Sequence, residues 1–139
     1  MIAYFDTSAL VPLLIEEAGS EPAARLWDAA NRVASVRLVY PEARTALAQA
    51  HRMERMTAGE LRSAAAALEA RCAQLEMLEI DEALTYHAGD LAEQHALRGY
   101  DAVHLAAAHR VSDAELVVVA GDRLLLAAAA ADGLATAAI

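Results

Sequence analysis

Cysteine, lysine and aromatic residues are scarce or missing in this chain of 139 residues. The single cysteine, Cys72, cannot form an internal disulfide bond, so we expect a reducing, cytosolic setting. All eleven basic residues are arginine, which excludes any mechanism that depends on a lysine ammonium group. Aromatic residues make up only 4% of the chain, which leaves few rings to stack on nucleic-acid bases.

Long apolar runs are missing as well. The alanine-rich runs 64–67 and 127–131 are each ended within a few residues by Glu, Arg or Asp, so neither can span a bilayer. The first residues show neither a basic region nor a small-residue cleavage site, so we expect no signal peptide. The sequence therefore predicts a cytoplasmic protein without a membrane segment.

Acidic residues outnumber basic ones by 20 to 11, which gives a formal charge of −9. A basic face is the usual mark of a nucleic-acid-binding protein, so this balance argues against one. It does not exclude one, because bound metal ions can supply the positive charge that meets a phosphate. The length and the 58% of hydrophobic residues predict a single domain over residues 1–139.

Short apolar segments alternate with helical ones along the chain. The predicted strands are Ile2–Phe5, Val33–Val36, Met77–Ile80, Leu116–Ala120 and Ala135–Ile139. The predicted helices cover roughly residues 20–31, 41–53, 58–74, 82–97, 100–112 and 123–132. Strands that alternate with helices predict an α/β fold with a central parallel sheet and helices on both faces.

Three helix starts carry capping signals. Ser20 is predicted to be an N-cap, because its hydroxyl can accept a hydrogen bond from an amide of the first turn. Thr57 and Glu60 have the spacing of a capping box, in which each side chain bonds the other residue's amide. Asp81 is predicted to cap the helix that follows it.

Four acidic residues occupy positions that can converge. Asp6 directly follows the first strand, and Asp122 follows the strand Leu116–Ala120 by one glycine. Ligands of open parallel sheets bind beyond the carboxyl ends of the strands, so neighbouring strands would bring these two carboxylates into one crevice. Asp101 and Glu42 lie at predicted helix starts and can join them. Carboxylates gathered in this way repel one another, and a hard divalent cation such as Mg²⁺ removes the conflict.

The same acids have a plainer interpretation. Aspartate is a common N-cap, and each of Asp6, Asp101 and Asp122 precedes a helix, so each alone is more typical of a cap than of a metal ligand. The shared placement, and no single residue, is what favours a site.

Four sequence blocks carry a resemblance to a known family. They are Tyr4–Leu10 (YFDTSAL), Pro41–Leu47 (PEARTAL), Tyr100–Ala108 (YDAVHLAAA) and Gly121–Leu125 (GDRLL). Their order and spacing resemble those of PIN-domain nucleases, and more narrowly those of the VapC-type toxins of bacterial toxin–antitoxin pairs. The blocks cover nearly the whole chain, and the first and third are the more specific.

The resemblance implies a three-layer α/β/α sandwich and endonucleolytic cleavage of RNA by metal-activated water. It implies that Asp6, Glu42, Asp101 and Asp122 bind Mg²⁺ or Mn²⁺ and carry the catalysis. It also implies a cognate antitoxin protein as partner and a homodimer. Ser8 aligns with a small hydroxyl residue that can bond a metal-bound water.

Two positions depart from the family pattern. Gly121 stands where a hydroxyl residue is usual, which makes Asp122 the least secure of the four ligands. Pro12 stands where many relatives have a lysine, a change that affects RNA contacts and leaves the acids untouched.

Three further residues are candidates for supporting roles. His104 lies one helical turn after Asp101; a buried core histidine is the favoured interpretation, and a residue that orients a metal-bound water is the other. Arg98 and Arg123 flank the expected crevice in sequence and are candidates for phosphate contact.

Two other classes of protein compete with the nuclease. A phosphoacceptor α/β protein also places an aspartate after a strand, but it relies on a lysine that this chain lacks. A non-catalytic PIN-fold interaction domain would keep the fold and lose the acids, whereas all four are present.

Overall fold

The computed structural model describes residues 1–111 and 113–139. Its strands are β1 (Ile2–Phe5), β2 (Arg32–Val36), β3 (Glu76–Leu78), β4 (Leu116–Ala120) and β5 (Ala135–Ala138). Its α-helices are α1 (Thr7–Leu10), α2 (Ser20–Ala29), α3 (Val39–Arg52), α4 (Ala58–Gln74), α5 (Glu82–His95), α6 (Gly99–Val111) and α7 (Arg123–Ala131). A 3₁₀ turn, Val11–Leu13, continues α1.

The five strands form one parallel sheet in the order β3-β2-β1-β4-β5. The chain runs outward from β1 through β2 to β3 and then returns to pair β4 with the other side of β1. The order of the strands therefore reverses between β1 and β4. Crevices that bind ligands form at such a reversal, beyond the carboxyl ends of the two strands.

Two hydrophobic cores cover the two faces of the sheet, which confirms the predicted α/β/α sandwich. Ile2 and Tyr4 of β1 belong to the core formed with α5, α6 and α7. Ala3 and Phe5 of the same strand belong to the core formed with α1, α2, α3 and α4. All four side chains are buried, as expected of a parallel strand covered on both sides.

Most predicted elements are confirmed, and their ends are where the differences lie. Helix α3 begins at Val39, two residues before Pro41, and α6 begins at Gly99. The predicted end of α6 at Ser112 lies outside the described residues. Strand β3 is Glu76–Leu78, and the predicted extension to Ile80 is wrong, because its partner β2 ends at Val36 opposite Leu78.

The assignment of Ser20 as an N-cap is wrong. Gly19 is the N-cap of α2, and no side chain bonds the first-turn amides there. The Ser20 hydroxyl instead accepts a hydrogen bond from the Glu17 amide at 2.8 Å and donates to the Ile15 carbonyl at 3.1 Å. The hydroxyl therefore closes the preceding loop. The capping box of Thr57 and Glu60 and the Asp81 cap are both confirmed.

None of the helices in the described ranges 1–111 and 113–139 combines the length and the apolar character needed to cross a membrane.

Candidate active site

A cavity of about 390 Å³ opens at the carboxyl ends of β1 and β4. All four predicted acids line this one cavity. Its complete lining is Asp6, Thr7, Ser8, Val11, Glu17, Glu42, Ala46, Arg98, Tyr100, Asp101, His104 and Asp122. A larger cavity of about 910 Å³, between the segment Leu13–Glu16 and the start of α4, holds no comparable group of acids. The chemistry therefore points to the smaller cavity.

Asp6 is positioned by the turn from β1 into α1. It is the N-cap of α1, and its Oδ1 atom accepts hydrogen bonds from the Ala9 amide at 3.2 Å and the Ser8 hydroxyl at 2.6 Å. The residue is only 3% exposed. Burial raises the pKa of its carboxyl group to about 6, because a charge out of water is costly. Asp6 is thus both the predicted cap and a buried acid of the cavity.

Ser8 links the ends of the two central strands. Its hydroxyl donates to Asp6 and accepts a hydrogen bond from the Gly121 amide at 2.8 Å. A side chain at Gly121 would meet Ser8 at ordinary contact distance, 3.6 Å from its Cβ and Oγ atoms. The glycine that departs from the family pattern is therefore not required by steric crowding at this turn.

Asp122 is oriented by the backbone of α7. Its Oδ1 atom accepts hydrogen bonds from the amides of Leu124 and Leu125 at 2.9 and 3.1 Å. Its Oδ2 atom accepts a hydrogen bond from Arg98 at 3.1 Å. Both of its oxygens have protein partners, which distinguishes it from the other three acids.

Asp101 lies in the first turn of α6 and is 5% exposed. Burial raises the pKa of its carboxyl group, and the hydrogen bond and charge of Arg98 offset part of that increase. The Nε atom of Arg98 donates to its Oδ2 atom at 3.0 Å. Burial makes the ionisation of this acid harder, and a nearby cation would assist it.

Glu42 is oriented by a chain of buried polar groups. Its Oε1 atom contacts the Thr7 hydroxyl at 2.8 Å and Nε2 of His104 at 2.7 Å. Nδ1 of His104 lies 2.9 Å from the Tyr4 hydroxyl. In the neutral histidine with Nε2 protonated, His104 donates to Glu42 and accepts from Tyr4, and every partner is satisfied.

The burial of His104 fits its interpretation as a core histidine, while the orientation of a metal-bound water stays a prediction. The side chain is 1% exposed and packs edge-on against Tyr4, with ring centroids 5.9 Å apart. It is therefore a core histidine, and it also fixes one of the candidate acids.

Sequence reasoning missed Thr7, Tyr4 and Tyr100. Thr7 lies between Asp6 and Ser8, two residues predicted for the site, so its position offered a signal. Tyr4 points into the core from β1 and reaches the cavity only through His104, which a linear pattern does not reveal. Arg123 is exposed on α7 and is not among the residues that line the cavity.

The cavity offers the oxygen ligands that a divalent cation prefers, but its described side chains are not arranged around one point. Oδ2 of Asp6, Oε2 of Glu42 and Oδ1 of Asp101 accept no hydrogen bond from any described residue, and Mg²⁺ and Mn²⁺ favour oxygen ligands. Within residues 1–111 and 113–139, however, no three such side chains already surround one point as ligands would. The positively charged Arg98 guanidinium lies between Asp101 and Asp122, in the place that a metal ion would take.

Comparison with known proteins agrees with this geometry. The sequence model of the PIN domain family matches residues 3–137 of this chain. Two curated relatives, ribonuclease VapC45 and ribonuclease VapC49 from two strains of Mycobacterium tuberculosis, are each 47% identical over 132 residues, covering 95% of this chain and 92% of the relative.

Two solved structures share the fold at low sequence identity. The structure of VapC20 from Mycobacterium tuberculosis, described as a sarcin-ricin loop cleaving toxin, is 23% identical with a TM-score of 0.72 and covers 91% of this chain and 94% of that one. A toxin–antitoxin complex from Klebsiella pneumoniae is 17% identical with a TM-score of 0.62 and covers 86% of each chain. The match of the family model over residues 3–137 and the 47% identity to the two ribonucleases show that the chain belongs to the PIN domain family and, within it, to the VapC group.

Proposed function

We propose that this protein is a metal-dependent endoribonuclease and the toxin of a type II toxin–antitoxin pair. The observation that carries the proposal is the lining of one cavity by Asp6, Glu42, Asp101 and Asp122 at the carboxyl ends of β1 and β4. The relatives with 47% identity are named ribonucleases, which supports RNA as the substrate class.

Two of the four acids are held by backbone amides, and the other two are held by other parts of the fold. Asp6 and Asp122 are N-caps of α1 and α7, so backbone amides fix one oxygen of each. Asp101 is fixed by its place in the first turn of α6, and Glu42 by Thr7 and His104. Rigid support of this kind lowers the cost of reorganisation during a reaction.

We propose Mg²⁺, or Mn²⁺ in its place, as the cation that these acids hold. When bound, it would supply the charge that stabilises a phosphate under attack and would activate the attacking water. The acids bind and orient the cation, while the buried chain from Tyr4 through His104 keeps the Glu42 carboxylate aimed at the cavity. No serine or cysteine nucleophile is needed in such a reaction.

An antitoxin is proposed as the protein partner. The Klebsiella pneumoniae structure is a complex of a toxin with its antitoxin, which supports a partner of that kind here. A homodimer is proposed on the same family grounds.

Cleavage of RNA by purified variants tests the proposal. We expect Asp6→Asn and Asp101→Asn to abolish the Mg²⁺-dependent cleavage of cellular RNA, because each removes a charged ligand and keeps the side-chain shape. Asp90→Asn is the matched control, because Asp90 is exposed on α5 outside the cavity. EDTA should stop cleavage by the wild type. Cleavage by Asp101→Asn at the wild-type rate would overturn the site assignment.

A further inference from the structure

Arg98 joins two of the four acids through one guanidinium group. Its Nε atom donates to Oδ2 of Asp101 at 3.0 Å, and its NH2 group donates to Oδ2 of Asp122 at 3.1 Å. A planar guanidinium has donors on several edges, which lets it bind two separate carboxylates at once. The two acids therefore share one positive charge supplied by the chain itself.

The acids are held by backbone amides or by burial, whereas the arginine that joins them is exposed. The Asp122 carboxylate is bound by two amides of α7, and the Asp101 side chain is 7% exposed. The Arg98 side chain is 58% exposed and lies on the short connection between α5 and α6, beside the exposed ring of Tyr100 at 4.8 Å. It can leave the carboxylates without disturbing the core, since its far side already faces solvent.

A divalent cation held by Asp122 would need the oxygen atom that Arg98 binds, whereas Asp101 keeps its Oδ1 atom available. Oδ2 of Asp122 is its one oxygen not bound by the helix backbone, and Arg98 takes it. Two cations cannot share such close quarters without strong repulsion. Binding of the metal through Asp122 therefore requires Arg98 to withdraw.

We propose that Arg98 is an internal competitor for the metal site. In the metal-free protein its single positive charge is shared by Asp101 and Asp122, and on metal binding it moves to the rim, where its freed guanidinium can bind an RNA phosphate. This inference rests on the proposed metal-dependent function. It makes Arg98 a positioning residue that sets the metal affinity of the site.

Measurement of Mn²⁺ affinity tests the proposal without reference to activity. The electron paramagnetic resonance signal of free Mn²⁺ gives the dissociation constant of the wild type, of Arg98→Gln and of Arg98→Lys. We expect Arg98→Gln to bind Mn²⁺ about three- to tenfold more tightly, because the two ion pairs of the exposed Arg98 side chain no longer compete. Arg98→Lys keeps the charge without the fork and should fall between the two.

The matched control is Arg62→Gln, which removes the same charge from an exposed position on α4 outside the cavity and should bind Mn²⁺ as the wild type does. Equal or weaker binding by Arg98→Gln, with the wild type binding normally, would overturn the role of Arg98 alone and would indicate that the arginine only holds the acids together. If neither protein bound Mn²⁺, the proposed metal site would fail, and the competitor role with it.

Discussion

Asp6 is a charged residue in a place where charge is expensive. It is 3% exposed, and burial raises the pKa of its carboxyl group from 3.8 to about 6. In the unfolded chain the pKa returns to its ordinary value, so the folded protein pays for ionisation of Asp6 at every pH above about 6. That penalty shrinks as the pH falls from about 6 and disappears below about pH 4.

Asp6→Asn should therefore stabilise the metal-free protein at neutral pH. The amide keeps an oxygen for Ser8 and Ala9 and carries no charge. At pH 7.5 in EDTA we expect the variant to exceed the wild type in free energy of unfolding by on the order of 2 kcal/mol. At pH 4 the two should be equal. Urea denaturation at both pH values measures the difference, and a difference that does not change with pH would contradict the assigned cause.

Thr7 is the residue through which the support of Glu42 can be tested. Thr7→Val keeps the shape and removes the hydroxyl that donates to Oε1 of Glu42. Loss of a partner that orients a metal ligand typically lowers activity or metal affinity by about 10- to 100-fold, and we expect a loss near the lower end, because His104 still binds Glu42.

The control is Thr45→Val on α3, whose hydroxyl donates to the Pro41 carbonyl of its own helix. RNA cleavage rates of both variants measure the effect on activity, and Mn²⁺ titrations measure the effect on metal affinity. Equal rates for the two variants would mean that Thr7 does not orient Glu42.

At the scale of the element, the sequence predicts the order of strands and helices better than their ends. Strand β4 is confirmed residue for residue, because Leu116–Ala120 is continuously apolar and β-branched at its centre. Strand β3 is short because β2 ends, a limit set by a partner and not by the residues Met77–Ile80 themselves. Ser20 has the chemistry of an N-cap, but tertiary packing turns its hydroxyl to the preceding loop.

The candidate site divides in the same way. The strand ends and helix starts place Asp6, Asp101 and Asp122, which local patterns identify. The bridge made by Arg98 depends on the path from α5 into α6, where Ala96 ends the helix with a φ of 53°. The contact of His104 with Tyr4 joins residues 100 positions apart. Neither could be predicted without the packed structure.

The capping box of α4 gives a prediction that concerns stability alone. Thr57 accepts a hydrogen bond from the Glu60 amide at 3.1 Å, and Glu60 accepts one from the Thr57 amide at 3.0 Å. Thr57→Ala should lower the free energy of unfolding by about 1 kcal/mol, the usual cost of losing such a cap. RNA cleavage should be unchanged, because α4 begins outside the cavity that holds the acids.

Thr85→Ala is the control for the cap. Its hydroxyl donates to the Glu82 carbonyl within α5, so alanine there should be neutral or slightly stabilising. Thermal unfolding of both variants measures the difference. If Thr57→Ala were as stable as Thr85→Ala, the account of α4 would be contradicted.

For the whole molecule, the charge of −9 and the proposed binding of RNA have to be reconciled. Within residues 1–111 and 113–139, six of the eleven arginines already form ion pairs with acidic side chains: Arg25, Arg32, Arg37, Arg55, Arg98 and Arg110. Little positive charge is left to attract phosphates along a surface. The proposed cation in the acidic cavity would supply the missing attraction at the place of the proposed reaction.

Anomalous diffraction from crystals soaked in Mn²⁺ tests this central claim most directly. We expect an anomalous peak in the cavity at about 2.2 Å from carboxylate oxygens of Asp6 and Asp101, with Arg98 displaced from Asp122. The peak should be absent from crystals of Asp101→Asn and present in crystals of Asp90→Asn. A peak bound only elsewhere on the protein, or no peak at all in wild-type crystals, would contradict the account.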